Sequence, residues 1–157
     1  MKRVGLVSDS HGYFDEQLRR ELGECDEIWH AGDFGDLRVI EQLSEIAPLK
    51  GVFGNIDGPE VRALFPEQLD FECEGVRVRM LHIGNSRAAL AALKRSPPDV
   101  LICGHSHIVK VDRRNGCLHI NPGACGRQGI HLVRTAMRLE LAEGAVRKLQ
   151  LLELGPR

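Results

Sequence analysis

The sequence predicts an α/β fold, and two observations support this prediction. Short apolar segments that suit buried strands alternate with helical patterns in the first half of the 157-residue chain. Beyond residue 108 the pattern changes to short strands joined by turns, with Asn115-Gly116 and Glu143-Gly144 as hairpin turns. The first pattern is typical of βαβ units and the second of antiparallel sheet.

The first two βα units are predicted from apolar spacing and from capping residues. Residues 4–7 form a short apolar strand, and residues 27–30 form the second strand. The helix after the first strand ends at Gly23 and has an apolar face formed by Phe14, Leu18 and Leu22. The helix after the second strand is capped by Asp36 and has an apolar face formed by Leu37, Ile40, Leu43 and Ile46.

Three further strands are predicted over residues 49–53, 76–80 and 99–103, with a short helix over residues 59–64. Each of the five strands ends at a polar motif. Ligands of open α/β sheets bind at the carboxyl ends of the strands, where loops from distant segments meet. We therefore expect these motifs to form one site. They are Asp9-Ser10-His11, Gly32-Asp33, Gly54-Asn55-Ile56-Asp57, Leu81-His82-Ile83-Gly84 and Gly104-His105-Ser106-His107.

The motifs supply a donor set that suits two divalent metal ions. Its seven side chains are Asp9, His11, Asp33, Asn55, His82, His105 and His107. Mixed oxygen and imidazole donors favour borderline cations, so we expect Mn²⁺ first, with Fe²⁺, Ni²⁺ or Zn²⁺ as alternatives. Asp33 is central in the series and is the natural bridge between two ions, which a shared carboxylate holds about 3.5 to 4 Å apart. This pattern indicates a two-metal phosphoesterase.

Composition excludes several other classes of protein. The formal net charge of −1, with scattered Lys and Arg, provides no basic face for duplex nucleic acid, so a small phosphodiester or nucleotide substrate would be captured locally. Five widely spaced cysteines without a Cys-x-x-Cys pair argue against a disulfide framework and favour a reducing cytoplasm. No apolar stretch is long enough to span a membrane. We expect one soluble domain over residues 1–157, with a homodimer as the common default.

The ordered motifs D-x-H, GD, GNxD, H and GHxH resemble the calcineurin-like metallophosphoesterase superfamily. The short chain is similar to its small prokaryotic YfcE-like phosphodiesterases. The match spans residues 4 to about 127 and includes Asn121-Pro122-Gly123, which resembles the Asn-Pro-Gly loop after the last ligand in that group. The resemblance implies a four-layer α/β/β/α sandwich, in which two mixed sheets lie face to face and helices cover them.

The resemblance also implies how the ligands divide and what they do. One ion would be held by Asp9, His11, Asp33 and His107, and the other by Asp33, Asn55, His82 and His105. A hydroxide that bridges the two ions would attack phosphorus in line, and the Asn55 amide could donate to the phosphoryl group. The implied activity is a metal-dependent phosphodiesterase.

Two residues depart from the superfamily pattern. Larger members carry His after the Asn of the third motif, where it helps to protonate the leaving oxygen, but this chain has Ile56. General acid catalysis commonly contributes about 10²- to 10⁴-fold, so we expect slow turnover of poor leaving groups and a preference for activated phosphodiesters. Relatives usually have Gly directly after the ligand His, but this chain has Ile83, which predicts a different backbone near His82 and a different substrate pocket.

Each motif alone also has a structural interpretation. Asp-x-His at a strand end is more often a cap or a turn, and Gly32-Asp33 and Gly54-Asn55 are ordinary turn signals, because these residue types tolerate left-handed backbone. His105 and His107 are a stronger signal, since alternate side chains of an extended segment point the same way. It is the ordered set that favours a site.

Several side chains and functions have competing interpretations. We expect Trp29 to be a core residue, and we expect structural roles for His30 in the second strand and for His119 and His131 in the late strands. Cys103 is either a soft ligand or, more simply, a buried thiol, and Arg127 contacts either substrate phosphate or only solvent. The main rival function is a non-catalytic scaffold for protein binding, as in a retromer coat subunit that resembles this family. A structural protein with a single zinc ion is the third alternative.

Overall fold

The computed structural model describes residues 1–157, which form ten strands and four helices. The strands are β1 (Lys2–Val7), β2 (Glu27–His30), β3 (Leu49–Gly51), β4 (Gln68–Cys73), β5 (Val76–Leu81), β6 (Val100–Ile102), β7 (Lys110–Arg114), β8 (Cys117–Asn121), β9 (Val133–Ala142) and β10 (Ala145–Pro156). The helices are α1 (Glu16–Leu22), α2 (Leu37–Ile46), α3 (Pro59–Arg62) and α4 (Arg87–Arg95).

The strands form two five-stranded mixed sheets. The first has the order β10-β9-β1-β2-β3, in which β1, β2 and β3 run parallel and β9 pairs antiparallel with β1. The second has the order β4-β5-β6-β8-β7, in which β5, β6 and β8 run parallel. The carboxyl ends of β1, β2 and β3, and those of β5 and β6, therefore provide the edges at which the predicted motifs lie.

Apolar side chains arrange the two sheets and the helices in four layers. The largest core cluster lies between the sheets and combines Leu6 and Trp29 of the first sheet with Met80, Ile102 and Ile120 of the second. A second cluster joins α1 and α2 to the outer face of the first sheet, and a smaller one joins α4 to the second sheet. The predicted α/β/β/α sandwich is confirmed, and Trp29 is a core residue as expected.

Capping explains where the first two helices begin. The Asp15 side chain accepts a hydrogen bond from the Leu18 N–H at the start of α1, and the Asp36 side chain accepts one from the Val39 N–H at the start of α2, as predicted for Asp36. The predicted apolar face of α2 is wrong at its first member. Leu37 is 37% exposed, whereas Val39 is buried with Leu43.

Other boundaries and pairings differ from the prediction. The third strand ends at Gly51 and the short helix ends at Arg62, both two residues early, and β6 is two residues shorter than expected. The late segment is not purely antiparallel, because β8 runs parallel to β6. Both predicted hairpins are present: β7 pairs with β8 and β9 with β10. No helix is long and apolar enough to cross a membrane.

Candidate metal centre

The loops after five strands bring the seven predicted side chains together. The backbone N–H of His105 donates to Asp9 Oδ2 at 3.0 Å, although 96 residues separate them. The Ile56 N–H donates to Asp33 Oδ1 at 3.1 Å, and Asn55 Oδ1 lies 3.1 Å from His105 Nδ1. Two hydrogen bonds therefore link the third loop to the second and to the fifth.

Two buried carboxylates occupy the middle of the cluster. Asp9 Oδ1 lies 3.1 Å from His107 Nε2 and 3.8 Å from the Nε2 atoms of His11 and His82. Asp33 Oδ2 lies 3.4 Å from His11 Nε2 and 3.2 Å from His82 Nε2. Asp33 thus faces imidazoles on both sides, as a bridging ligand would. Its role as a ligand remains a prediction.

Three of the predicted ligand atoms in the cluster lack a hydrogen-bond partner. They are Asp9 Oδ1, His11 Nε2 and His82 Nε2, all buried. The His82 Nδ1–H donates to the Ala31 carbonyl at 2.8 Å, so Nε2, which faces the carboxylates, is the nitrogen that can release its proton and bind a metal ion. Buried polar atoms without partners are costly, and a divalent cation would satisfy all three. The donor set present therefore fits a metal ion.

The donor atoms form two overlapping groups, in each of which all the ligand atoms lie within 4.8 Å of one another. One group contains Asp9, His11 and His107, which are three of the four ligands expected for one ion. The other contains Asp9, Asp33 and His82, so that Asp9 takes part in both groups. His105 lies outside both, beside Asn55, and the expected division of the ligands between two ions remains a prediction.

The carboxylates shift the ionisation of the imidazoles in the absence of metal. The neighbouring Asp9 carboxylate raises the pKa of His11, and the charge of Asp33 adds to this effect. Burial opposes protonation of His82, but contacts with Asp33 and Asp9 outweigh it and raise the His82 pKa. Burial would likewise raise the pKa of Asp9, but His107 and His11 lower it. The negative field that attracts protons here would attract a divalent cation in their place.

Five of the seven side chains stand on left-handed backbone. Their φ values are 54° at Asp9, 44° at His11, 60° at Asp33, 73° at His105 and 62° at His107. The expectation that His105 and His107 converge because they alternate along an extended segment is therefore wrong. They point into one site because each adopts a conformation that is uncommon for residues other than glycine.

Asp57, which was part of the third motif but had no predicted role, anchors two of the loops. Its carboxylate accepts hydrogen bonds from the N–H groups of Asp33, Phe34, Gly35 and Gly54, at 2.8 to 3.2 Å. These bonds fix the backbone on both sides of Asp33. The Asp two residues after Gly-Asn is a local signal for its bond to the Gly54 N–H, but the sequence has no signal for its bonds to the second loop.

His30 ties the first loop to the second, and it is fully buried in β2 as the structural interpretation predicted. The Gly32 N–H donates to His30 Nδ1 at 3.0 Å, so the Nε2–H donates to Ser10 Oγ at 2.9 Å. The Ser10 hydroxyl in turn donates to the Phe34 carbonyl at 3.0 Å. Burial lowers the His30 pKa to about 3, so this chain of bonds contains a neutral imidazole at pH 7.

Asn121 positions the loop that carries His105 and His107. Its side-chain Nδ2 donates to the Gly104 carbonyl at 2.9 Å and to Ser106 Oγ at 3.1 Å. Its Oδ1 accepts from the Gly123 N–H at 2.9 Å, which closes the Asn-Pro-Gly turn. The motif that carried part of the resemblance thus supports the two histidines from outside the ligand set.

The remaining candidates lie around the centre. His131 is in the loop before β9 and not in a strand, and its Nε2 lies 2.9 Å from the Gly126 carbonyl. His119 is in β8 as expected. Burial raises the pKa of Cys103 to about 12, which fits an inert thiol. Arg127 is exposed and lies over the Tyr13 ring, with its Cζ atom 5.2 Å from the ring centroid.

Two sequence relatives and one solved structure illustrate what the chain resembles. A probable metallophosphoesterase of Mycoplasma pneumoniae is 32% identical over 136 residues, which cover 79% of each chain. A phosphodiesterase of Methanocaldococcus jannaschii is 24% identical over 140 residues, covering 78% of this chain and 84% of the relative. Entamoeba histolytica Vps29, in complex with Zn²⁺, has a TM-score of 0.76 at 18% identity and covers 98% of this chain and 99% of its own, which shows a shared fold.

A family model extends the resemblance over most of the chain. The model describes a calcineurin-like phosphoesterase superfamily domain and matches residues 1–144, so the match includes all five motif loops. It ends near the turn between β9 and β10 and takes in all of the second sheet. The motifs, the layers and this match agree, and the chain belongs to the calcineurin-like phosphoesterase superfamily.

Proposed function

We propose that the protein is a metal-dependent phosphodiesterase that uses two divalent ions, with Mn²⁺ the first expectation and Fe²⁺, Ni²⁺ or Zn²⁺ as alternatives. One observation carries this proposal: Asp9 Oδ1, His11 Nε2 and His82 Nε2 are buried without partners and point toward one another. A fold that needed no cation would have little reason to keep three such atoms together.

The charge of the site explains why phosphodiester binding would depend on metal. Asp9 and Asp33 place two buried negative charges where the phosphate would lie, so the bare site repels an anionic substrate. Two divalent ions would change the formal charge from −2 to +2. When bound, they would supply Lewis acidity that stabilises the phosphoryl oxygens and lowers the pKa of water to about 7.

The exposed residues at the mouth of the centre would orient the substrate. With the His105 Nδ1–H donating to Asn55 Oδ1, the Asn55 Nδ2 group remains free to donate to a phosphoryl oxygen. Ile56 follows directly, is 46% exposed and offers no proton to a leaving oxygen. This absence supports a preference for diesters with good leaving groups over alkyl monoesters.

Hydrolysis of bis(p-nitrophenyl) phosphate with added Mn²⁺ tests the proposal directly. We expect the wild type to release p-nitrophenol and Asp33→Asn to lose more than about 100-fold of that rate, because Asp33 contacts His11 and His82 at the same time. Asp70→Asn is the matched control. It removes a carboxylate on β4 that pairs with Arg79, away from the centre.

Elemental analysis of the same samples separates two metals from one. We expect up to two ions per wild-type chain and fewer in Asp33→Asn, whereas a structural zinc protein would hold a single ion and show no turnover. Equal rates in wild type and Asp33→Asn would remove the catalytic proposal.

The second candidate is a non-catalytic scaffold for protein binding. The observation that favours it is a pair of apolar side chains on the loop before β9, where Ile130 is 95% and Leu132 is 82% exposed. The fold likeness to Vps29, a vacuolar sorting protein, is compatible with it. A scaffold would bind metal but would not hydrolyse bis(p-nitrophenyl) phosphate with any of the metal ions added.

A further inference from the structure

Two cavities flank the metal centre and are separated by Ile83. The larger, of about 560 Å³, begins at Asn55 and His82. The smaller, of about 280 Å³, begins at His105 and Ser106 and is called here the basic cavity. Ile83 lines both. A diester held at the centre therefore has a separate space for each of its two arms, and the residue that departs from the family pattern stands between them.

The basic cavity contains cationic side chains and no acidic one. Its lining includes Lys110 and Arg114 of β7, His119 of β8, and Leu90 and Leu93 of α4. Alternation along β7 places Lys110, Asp112 and Arg114 on the same face of the strand. Arg114 Nε pairs with Asp112, whereas no carboxylate lies within 4 Å of Lys110 Nζ. Together, Lys110, Asp112 and Arg114 carry a net positive charge next to the position expected for the scissile phosphate.

His119 adds a neutral hydrogen-bonding group to this charge. Burial lowers its pKa, and Lys110 and Arg114 lower it further, while Asp112 acts in the opposite direction. At pH 7 the imidazole is therefore a donor or acceptor without charge. The larger cavity also has two cationic side chains, Arg62 and Arg95, but it includes the acidic Glu67, and its Arg62 Nε already donates to the Asp57 carbonyl at 2.6 Å.

We propose that the basic cavity binds a terminal phosphate on one arm of the substrate, so that the preferred substrate is a phosphodiester that also carries a phosphomonoester. Lys110 and Arg114 are then specificity residues. A phosphate suits this cavity because its three oxygens can accept from donors on several sides, whereas a carboxylate offers only two. This proposal rests on the proposed function, which places the diester at the metal centre.

Adenylyl-(3′→5′)-adenosine with and without a 5′-phosphate tests the proposal, because the two substrates share the same scissile bond. We expect the KM of the Mn²⁺-supplemented enzyme to be roughly tenfold lower for the phosphorylated dinucleotide, as charge-assisted hydrogen bonds of about 1.4 kcal/mol would give. The KM ratio should fall to about one in Lys110→Gln and in Arg114→Gln. It should stay near ten in Arg113→Gln, a matched control, because Arg113 lies on the opposite face of β7 and lines a different cavity. Equal KM values for both dinucleotides in the wild type would overturn the proposal.

The pH titration of His119 by NMR gives a second result that does not depend on turnover. In protein supplemented with diamagnetic Zn²⁺, the phosphorylated dinucleotide should raise the His119 pKa, because an anion would offset Lys110 and Arg114. The unphosphorylated dinucleotide should leave it unchanged. If the chain hydrolyses neither dinucleotide, this comparison alone decides the cavity assignment, and hydrolysis of bis(p-nitrophenyl) phosphate separately decides the proposed function. An identical His119 pKa with both dinucleotides would refute the cavity assignment.

Discussion

Individual residues in the metal centre accept local strain that other residues offset. Each non-glycine residue in left-handed backbone costs about 1 to 3 kcal/mol, and five of the predicted ligands adopt it. The hydrogen bonds from four backbone N–H groups to Asp57, and those made by Asn121, hold the loops in this shape. Strain of this kind is typical of sites whose function fixes the positions of side chains.

The substitution Ile56→His should supply the proton donor that the third motif lacks. Ile56 is 46% exposed, and its N–H donates to Asp33 Oδ1, so an imidazole at this position would stand at the mouth of the centre. We expect kcat for methyl p-nitrophenyl phosphate to change little and kcat for a diester with two alkyl groups to rise by about 10²-fold. Ile56→Gln is the control, since it adds polarity without a group that titrates near pH 7. A rise of the same size with Gln would mean that polarity, not proton donation, is responsible.

At the scale of elements, the glycines of the motifs allow loops to touch. A Cβ on Gly54 would lie 2.0 Å from Asp33 Oδ1, and one on Gly104 would lie 2.1 Å from Ser8 Oγ and 2.7 Å from Asp9 Oδ2. Neither glycine has a positive φ, so the close approach of neighbouring atoms, and not left-handed backbone, requires glycine at both positions. Gly32 is required for both reasons: its φ is 104°, which is left-handed backbone, and a Cβ would lie 2.6 Å from His82 Nδ1.

Local sequence patterns predict some features of this fold and miss others. The first two strands, the Asp36 cap and both hairpins follow from apolar spacing and turn chemistry, which act over a few residues. The helix α4 was not predicted; it has no buried residue, and its Ala89 and Leu93 side chains are only partly buried against the second sheet. The meeting of the loops, including the hydrogen bond from the Asp33 N–H to Asp57, depends on contacts between residues more than twenty positions apart. No local sequence pattern contains such contacts.

The substitution Gly104→Ala should disturb the centre, whereas Gly58→Ala should not. The Gly104 Cβ would overlap Ser8 Oγ, so we expect a loss of about 1 to 3 kcal/mol in the free energy of unfolding and a lower affinity for metal. Gly58 precedes α3 with a φ of −85° and no heavy atom within 4 Å of its Cβ position. For Gly58→Ala we expect no loss in the free energy of unfolding and a gain of no more than about 1 kcal/mol. Urea unfolding in EDTA and metal titration would measure both effects, and similar results for the two variants would contradict the steric explanation.

At the scale of the whole molecule, the centre joins the two sheets. Asp9 and Asp33 follow strands of the first sheet, while His82 and His105 follow strands of the second, and their side chains meet across the sandwich. The core between the sheets is apolar, so the repulsion between Asp9 and Asp33 is concentrated at one edge. In the absence of metal, protons on His11 and His82 offset that repulsion, which couples global stability to pH.

Metal should therefore stabilise the protein more at pH 8 than at pH 6. The pKa values of His11 and His82 are raised above 6.5 in the folded state, so their stabilising effect is present below pH 6.5 and is lost as the pH rises through the raised values. The lowered Asp9 pKa reflects the same attraction, which fails only as the pH falls below 3.8. A cation must displace the imidazole protons, which are held less firmly as the pH rises from 6 to 8, and each displaced proton adds about 1.4 kcal/mol of metal-induced stabilisation per pH unit. We expect the increase in Tm on replacing EDTA with excess Mn²⁺ to be larger at pH 8 in the wild type and nearly absent at both pH values in Asp33→Asn. An increase that does not vary with pH would show that the cation binds without displacing these protons, away from the His11 and His82 nitrogens.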